Sequence, residues 1–150
     1  MKVLITGGNG QVGFELRRQL ATLGEILAPS RGSLDLSDAD AVSAYLAQHQ
    51  PDVVVNAAAY TAVDNAETDQ ALAARLNAEL PAQLAAYCQK RNCWLVHYSS
   101  DYVYSGEGSL PWREDDATGP CNVYGATKLA GDKAIAASGC QHLIFRTSWV

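Results

Sequence analysis

Tyr124 and Lys128 lie four residues apart in the segment 122–131. If that segment is helical, residues i and i+4 share one face, so a phenol and an ammonium would project into the same site. A phenol has a pKa of about 10 in water, which is too high for efficient proton donation at neutral pH. A neighbouring ammonium lowers that pKa. The spacing predicts that Lys128 tunes Tyr124 as a proton donor, although a packed tyrosine beside a solvated lysine has the same spacing.

A glycine pattern at the amino terminus predicts a dinucleotide site. Gly7, Gly10 and Gly13 directly follow the apolar run Lys2–Thr6 and precede an amphipathic segment, Phe14–Leu20. In a strand-to-helix turn of this kind, the first glycine permits the tight turn. The second lets the backbone approach a pyrophosphate, and the third permits close helix–strand packing. The helix amino terminus would then direct free N–H groups at the phosphates.

The segment Glu25–Arg31 predicts the second strand and the choice of cofactor. An NAD site usually carries an acidic residue at the end of this strand to hold the ribose, whereas this strand ends in Ser30 and Arg31. Arginine pairs with a 2′-phosphate, so NADPH is expected over NADH, although a solvated loop arginine is the alternative. Asp35 is placed to accept a hydrogen bond from the adenine amine, with Leu36 against the base.

Composition narrows the class of protein. The chain has 150 residues, 48% of them apolar, and a net charge of −5, which suits one α/β domain. The acidic balance argues against a nucleic-acid partner. No apolar stretch reaches transmembrane length, and the chain starts directly on a strand, so a cytoplasmic protein without a membrane partner is expected. The four cysteines lack metal-ligand spacing and are expected to be free thiols.

Alternation of apolar runs and helical segments predicts the fold. Strands are expected at 2–6, 25–31, 52–56, 94–100 and 142–150, and helices at 14–20, 39–48, 67–77, 81–91 and around Tyr124. This pattern is typical of a doubly wound, Rossmann-like parallel sheet in a three-layer α/β/α arrangement. The expected strand order is 3-2-1-4-5, with the ligand crevice at the carboxyl ends of strands 1 and 4. The glycine turn, Ala57–Ala59, Ser100 and Thr147 should meet there.

These motifs together resemble the extended short-chain dehydrogenase/reductase family. The resemblance rests on the glycine turn, on Ser100 at the end of a strand and on the Tyr124-x-x-x-Lys128 motif. Three longer segments, 51–64, 97–104 and 145–150, narrow it to members that reduce a keto group of a dTDP-linked sugar. The resemblance runs through all 150 residues.

The resemblance implies a role for each matching residue. Tyr124 would donate the proton, Lys128 would hold the nicotinamide ribose and tune Tyr124, and Ser100 would bind the substrate oxygen. Ser100, Asp101 and Trp149 would contact the nucleotide-sugar. From the motifs and the resemblance together, the expected cofactor-binding residues are Gly7, Gly10, Gln11, Val12, Gly13, Ser30, Arg31, Asp35, Leu36, Ala57, Ala58, Ala59, Tyr60, Thr61, Tyr98, Tyr124 and Lys128.

The chain departs from the family in length. Family members are about twice as long, so residues 1–150 are interpreted as the cofactor-binding domain, and the substrate-binding lobe would follow Val150. The resemblance implies magnesium at a homodimer contact. Glu15 is a candidate ligand, but the other ligands would lie in the part of the family that follows Val150, so no metal is expected in this chain.

Three other functions stay open at this point. A nucleotide-sugar dehydratase shares the fold and the Tyr/Lys pair but has Asp-Glu after the catalytic hydroxyl, where this chain has Asp101-Tyr102. An epimerase needs only Tyr, Lys and a hydroxyl residue. A non-catalytic regulatory module is the third alternative, although such relatives can lose the catalytic residues that this chain keeps.

Overall fold

Five parallel strands form one sheet in the computed structural model, which describes residues 1–150. The strands are β1 (Lys2–Thr6), β2 (Glu25–Leu27), β3 (Val53–Asn56), β4 (Trp94–Ser100) and β5 (Gln141–Thr147). All four neighbouring pairs are parallel. The runs in β1 and β3 are apolar because both faces of these strands are buried, as expected for the centre of a parallel sheet.

Helices connect the strands. They are α1 (Gln11–Leu20), α2 (Ala39–His49), α3 (Val63–Ala66), α4 (Gln70–Ala74), α5 (Leu80–Arg91) and α6 (Val123–Ala137). A π-helical turn, Arg75–Glu79, joins α4 to α5 without a break, so the helices predicted at 67–77 and 81–91 form one bent unit. A 3₁₀ turn, Asp101–Val103, follows β4.

The predicted fold class is confirmed, but the predicted strand order is wrong. The observed order is β2-β1-β3-β4-β5, and β3 pairs directly with β1, with Leu4 opposite Val54. Residues 31–33 and 36–37, which follow β2, form turns. The N–H groups of Ser33 and Leu34 both donate to the Ser30 carbonyl, at 3.0 and 2.9 Å. β2 therefore ends at Leu27 rather than Arg31 and is an edge strand.

Two apolar cores lie on opposite faces of the sheet, which confirms the three-layer arrangement. On one face α1 packs with Leu16 and Leu20 against Val3, Ile5 and Val55. The other face is larger and is covered by α2, α5 and α6. Its core is formed by Leu4, Val42, Leu46, Val54, Leu80, Leu84, Leu95 and Ile135.

The α1 face is not covered as far as β5. The Phe145 ring pairs with Tyr98 on that face, with centroids 5.9 Å apart, yet Phe145 is 47% exposed and Leu143 is 46% exposed. β5 ends at Thr147 rather than Val150, because Trp149 has a positive φ of 52° and leaves the extended conformation. The sheet therefore has an apolar, accessible edge at β5.

Candidate active site

One cavity brings the predicted catalytic residues together at the carboxyl ends of β1, β3, β4 and β5. Its volume is about 610 Å³. It is lined by Gly10, Gln11, Val12, Ala57, Ala59, Thr61, Val63, Asp64, Tyr98, Ser99, Ser100, Asp101, Tyr102, Tyr124, Lys128, Thr147, Trp149 and Val150. The predicted convergence of the glycine turn, the loop after β3, Ser100 and Thr147 is confirmed. Because β3 lies between β1 and β4 in the sheet, the cavity extends across the carboxyl ends of these three neighbouring strands.

Helix α6 carries Tyr124 and Lys128, as the spacing predicted. Its first turn is fixed by Asn122, whose side chain accepts a 2.7 Å hydrogen bond from the N–H of Gly125. Gly125 packs so closely on the turn after β4 that a Cβ there would overlap the Tyr102 carbonyl oxygen. A glycine at this position therefore lets α6 approach the end of β4, which places Tyr124 beside the Ser100 turn.

Lys128 is almost completely buried, with 1% of its surface exposed. Its ammonium donates a 2.6 Å hydrogen bond to the main-chain carbonyl of Tyr98. Burial lowers the pKa of Lys128 to about 8, while the carboxylate of Asp132 acts in the opposite direction. At neutral pH the side chain is still mainly an ammonium, held at the base of the cavity.

The expected tuning of Tyr124 by Lys128 is wrong for this structure. Burial raises the pKa of Tyr124; the nearby Ser100 hydroxyl offsets part of the rise, and the Asp101 carboxylate adds to it. The Lys128 ammonium donates to the Tyr98 carbonyl, and the net shift of the Tyr124 pKa is upward. Tyr124 is therefore protonated at neutral pH, which is the form that a proton donor needs.

Ser100 ends β4 and shapes the turn after it. Its side-chain oxygen accepts a 3.2 Å hydrogen bond from the N–H of Tyr102 and donates at 3.3 Å to the carboxylate of Asp101. The first bond caps the 3₁₀ turn Asp101–Val103. Ser100 thus reaches the cavity from the strand side, while Tyr124 reaches it from α6.

The glycine turn has the geometry that its sequence predicted. Gly7 has a φ of +70°, and a Cβ there would lie 2.7 Å from the Ala58 nitrogen. A Cβ on Gly13 would overlap the Gly7 carbonyl oxygen, whereas one on Gly10 would meet only that oxygen, at 3.4 Å. Gly7 and Gly13 are therefore required by packing, and Gly10 lies on the open side of the turn.

The amino terminus of α1 fits a phosphate group. Gly10 is the N-cap of this ten-residue helix and offers no side-chain cap, so no side chain of the protein occupies the first N–H groups. Gly10, Gln11 and Val12 line the catalytic cavity. The turn and the free N–H groups suit the diphosphate of a dinucleotide.

A second cavity of about 500 Å³ adjoins the first and shares Gly10, Ala57, Ala59 and Thr61 with it. Its lining includes six of the residues that were predicted to bind the cofactor: Gly7, Arg31, Asp35, Leu36, Ala58 and Tyr60. Ser30 is not part of its lining; the Ser30 hydroxyl hydrogen-bonds that of Ser33 at 3.1 Å. The expectation that Ser30 contacts the cofactor is therefore not supported by its position.

Asp35 is oriented by Ser37. One carboxylate oxygen, Oδ1, accepts both the N–H of Ser37 at 2.9 Å and its hydroxyl at 2.6 Å. These hydrogen bonds lower the pKa of Asp35. The other oxygen, Oδ2, makes no hydrogen bond within the protein, so it is available to accept one from an amine.

Sequence reasoning missed several residues that line the two cavities. In the catalytic cavity they are Val63, Asp64 and Tyr102; in the second cavity they include Leu34, Ser37, Leu72 and Leu76. Tyr102 could have been found, because it follows Ser100 by two residues and is aromatic. The others come from the segment between β2 and α2, from α3, from α4 and from the π-helical turn, and only the tertiary structure places these segments beside the sheet edge.

Neither a metal cluster nor a membrane span is found. No group of three or more His, Cys, Asp or Glu side chains is arranged to hold a metal ion. Glu15, the candidate magnesium ligand, instead pairs with Arg18 at 3.3 Å on the surface. No helix combines the length and the apolar character needed to cross a membrane.

Comparison with known proteins identifies the family. A family model described as "RmlD substrate binding domain" matches residues 1–150. The chain belongs to this RmlD family.

Individual relatives agree with the RmlD family match. A dTDP-4-dehydrorhamnose reductase of Salmonella typhimurium is 49% identical over 154 residues, which cover 100% of this chain and 52% of that protein. The solved structure of a dTDP-4-dehydrorhamnose reductase from Clostridium acetobutylicum aligns with a TM-score of 0.93 and 39% identity, covering 99% of this chain and 54% of that one. A Bacillus anthracis dTDP-4-dehydrorhamnose reductase, solved in complex with NADP, aligns with a TM-score of 0.91 and 34% identity, covering 99% and 53%.

The match is thus to one part of longer RmlD-family proteins. This chain spans about half the length of the curated relatives. The fold and the family are shared over the whole chain, and the residues of the two cavities all lie within that shared part.

Proposed function

We propose that this chain is the cofactor-binding part of an NADPH-dependent reductase that converts dTDP-4-dehydro-L-rhamnose to dTDP-L-rhamnose. The observation that carries the proposal is the convergence of Tyr124, Lys128 and Ser100 in the cavity that also contains the uncapped amino terminus of α1. The substrate is that of the relatives, which are dTDP-4-dehydrorhamnose reductases. NADPH rather than NADH is favoured by Arg31 in the adjoining cavity and by the NADP complex of the Bacillus anthracis relative.

Binding of the dinucleotide would use both cavities. The N–H groups at the start of α1 would receive the diphosphate, and Arg31 would pair with a 2′-phosphate at the mouth of the second cavity. Asp35, held by Ser37, would accept a hydrogen bond from the adenine amine. The Lys128 ammonium has three donors and uses one for Tyr98, so two remain for ribose hydroxyls.

Reduction of a keto group adds a hydride to carbon and a proton to oxygen, and the bound cofactor supplies the hydride. Tyr124 would donate the proton to the sugar oxygen. Because an alkoxide is a stronger base than a phenolate, the transfer is favourable even though burial raises the pKa of Tyr124. Ser100 would hydrogen-bond the same oxygen from the opposite side and stabilise its developing charge.

The proposal is tested in a protein of the relatives' full length. Purified protein is mixed with NADPH and dTDP-4-dehydrorhamnose, and both NADPH oxidation and the sugar product are measured. Equal amounts of NADP⁺ and dTDP-rhamnose are expected. Epimerised sugar without net NADPH consumption would instead indicate an epimerase, loss of water a dehydratase, and cofactor binding without any turnover a regulatory module.

Three further properties are part of the proposal. A homodimer and a cytoplasmic location are both expected for a full-length relative of this type, and magnesium is expected to be unnecessary for cofactor binding by this chain. Sedimentation of the full-length protein, with and without a chelator, tests the dimer and its dependence on metal.

A further inference from the structure

A cluster of ionisable side chains lies behind Lys128, on the side away from the cavity. His97 is 0% exposed, Lys128 is 1% exposed and Asp132 is 4% exposed. Burial of ionisable groups is costly unless they are paired or hydrogen-bonded. Of these three residues, only Lys128 has a role in the proposed reaction. The burial of His97 and Asp132 in the core therefore needs a separate explanation.

Asp132 is fixed through one of its carboxylate oxygens. Oδ2 accepts the hydroxyl of Ser99 at 2.7 Å and the Nε of Arg146 at 3.4 Å. Arg146 is held in turn, because its guanidinium donates to the Tyr104 hydroxyl at 2.7 Å and to the Glu114 carbonyl at 3.2 Å. The other oxygen, Oδ1, has no hydrogen-bond partner. The carboxylate is thus held rigidly within the core.

His97 adds no charge to this cluster at neutral pH. Its Nδ1 lies 3.0 Å from the Asn56 amide nitrogen, and the Asn56 carbonyl oxygen is occupied by the Thr6 hydroxyl. The amide therefore donates to Nδ1, and the ring proton is assigned to Nε2, which lies 3.7 Å from Asp132 Oδ1. Burial lowers the pKa of His97 to about 3, and the charge of Lys128 acts in the same direction.

The Asp132 carboxylate raises the pKa of Lys128, in opposition to the burial that lowers it. The elements packed against α6 carry other titratable groups: Asp64, Arg75, Glu79, Tyr87, Cys88, Lys90, Arg91, His97, Tyr98, Asp101, Tyr102, His142 and Arg146. Of these, Asp64 and Glu79 are exposed, and Asp101 hydrogen-bonds Ser100. Asp132 lies one helical turn beyond Lys128 on the buried side of α6, where i and i+4 side chains are neighbours.

We propose that Asp132 is a positioning residue for Lys128. Its buried carboxylate, held by Ser99 and Arg146 one helical turn from Lys128, keeps the Lys128 side chain in the ammonium form inside the core. The catalytic meaning of this role rests on the proposed function, whereas the electrostatic coupling between the two side chains does not. A neutral amine at this position would have two donors instead of three and no charge to hold a ribose and its phosphates.

The coupling is measured by titrating the lysines by NMR. The chain has four, Lys2, Lys90, Lys128 and Lys133, so protein labelled with ¹³C-lysine gives four side-chain signals. Lys128→Met assigns the Lys128 signal. In the wild-type chain we expect Lys128 to have the lowest pKa of the four. In Asp132→Asn, which keeps the shape of the side chain, this pKa should fall by a further ~1 unit or more.

A matched control and a reciprocal measurement complete the test. Glu79→Gln removes an exposed charge from an element packed against α6 and should leave the Lys128 pKa unchanged. Coupling is mutual, so the pKa of the Asp132 carboxyl, followed with ¹³C-aspartate, should rise in Lys128→Met.

Either missing shift contradicts the proposal. An unchanged Lys128 pKa in a folded Asp132→Asn chain overturns it. If Asp132→Asn does not fold, an unchanged Asp132 pKa in Lys128→Met overturns it instead. No substrate or turnover enters these titrations, so a failure of the reductase assay beside the expected shifts would count against the proposed function alone.

Discussion

The rings of Tyr102 and Tyr124 meet edge to face, with centroids 5.3 Å apart and planes at 83°. This geometry is favoured by the ring quadrupoles. Tyr102 belongs to the turn after β4 and Tyr124 to α6, so the contact holds the proposed proton donor from two elements. Phenylalanine at position 124 would keep the ring contact and lose only the hydroxyl.

We expect Tyr124→Phe in the full-length protein to lower turnover by ~10²-fold or more and to leave NADPH affinity near that of the wild type. The hydroxyl is needed only when the keto oxygen takes up a proton. Steady-state NADPH oxidation and a binding titration measure the two effects. Tyr45→Phe, on the distant helix α2, is the control, and near-normal turnover of Tyr124→Phe would remove this residue from the mechanism.

Arg31→Ala should reduce the preference for NADPH over NADH. Arg31 lines the second cavity and is exposed, so its pairing with a 2′-phosphate is screened and worth only ~1–2 kcal/mol. Calorimetric titration of both cofactors into wild type and variant measures the ratio of the NADH and NADPH dissociation constants in each protein. Arg91→Ala, far from the cavity, is the charge control; equal cofactor ratios in the wild type and in Arg31→Ala would contradict the assignment.

Burial of His97 should make the fold sensitive to acid. The pKa of His97 is lowered from 6.5 to about 3 in the folded chain. The unfolded chain therefore binds more protons between these values, and stability falls as the pH drops from 6.5 towards 3. The slope from one such group approaches ~1.4 kcal/mol per pH unit.

Urea unfolding at pH 7, 5.5 and 4.5 measures this slope. We expect His97→Gln to be less stable at pH 7 but to lose less stability on acidification, while His49→Gln, on the outer end of α2, keeps the wild-type slope. Equal slopes in wild type and His97→Gln would show that His97 does not carry the acid sensitivity.

The 150-residue chain by itself should bind NADPH weakly and show no reductase turnover. Both cavities are present in it, but the catalytic cavity is open where Trp149 is 93% exposed. Positioning of a substrate can supply ~7–11 kcal/mol of a reaction barrier, and an open cavity does not position a sugar. Fluorescence titration with NADPH and an NADPH-oxidation assay test the two parts; measurable turnover would show that this chain suffices.

The same chain should self-associate through β5. That strand is at the edge of the sheet, and its exposed Leu143 and Phe145 lie beside unpaired main-chain groups, which is a template for pairing with another chain. Light scattering over a concentration series should show a mean particle mass that increases with protein concentration. Replacing Leu143 and Phe145 with lysine should suppress the growth, and a wild-type chain that stays monomeric throughout would contradict the argument.

Local rules made several features predictable from the sequence. The Tyr124 and Lys128 spacing predicted a shared helical face because helical geometry repeats every 3.6 residues. The spacing of Gly7, Gly10 and Gly13 predicted the turn because steric overlap excludes a side chain at the first and third positions. The fold class followed from alternating strand and helix patterns, which require parallel strands.

The tertiary structure alone decided the strand order and the electrostatics. Apolar runs do not specify their neighbours, so the pairing of β3 with β1 and the edge position of β2 are seen only in the folded sheet. The direction of the Tyr124 pKa shift depended on burial and on Ser100 and Asp101, which the fold brings from the end of β4 to α6. Asp132 follows Lys128 by four residues, but the sequence did not show its burial or its partners, because Ser99 and Arg146 come from neighbouring strands far apart in sequence.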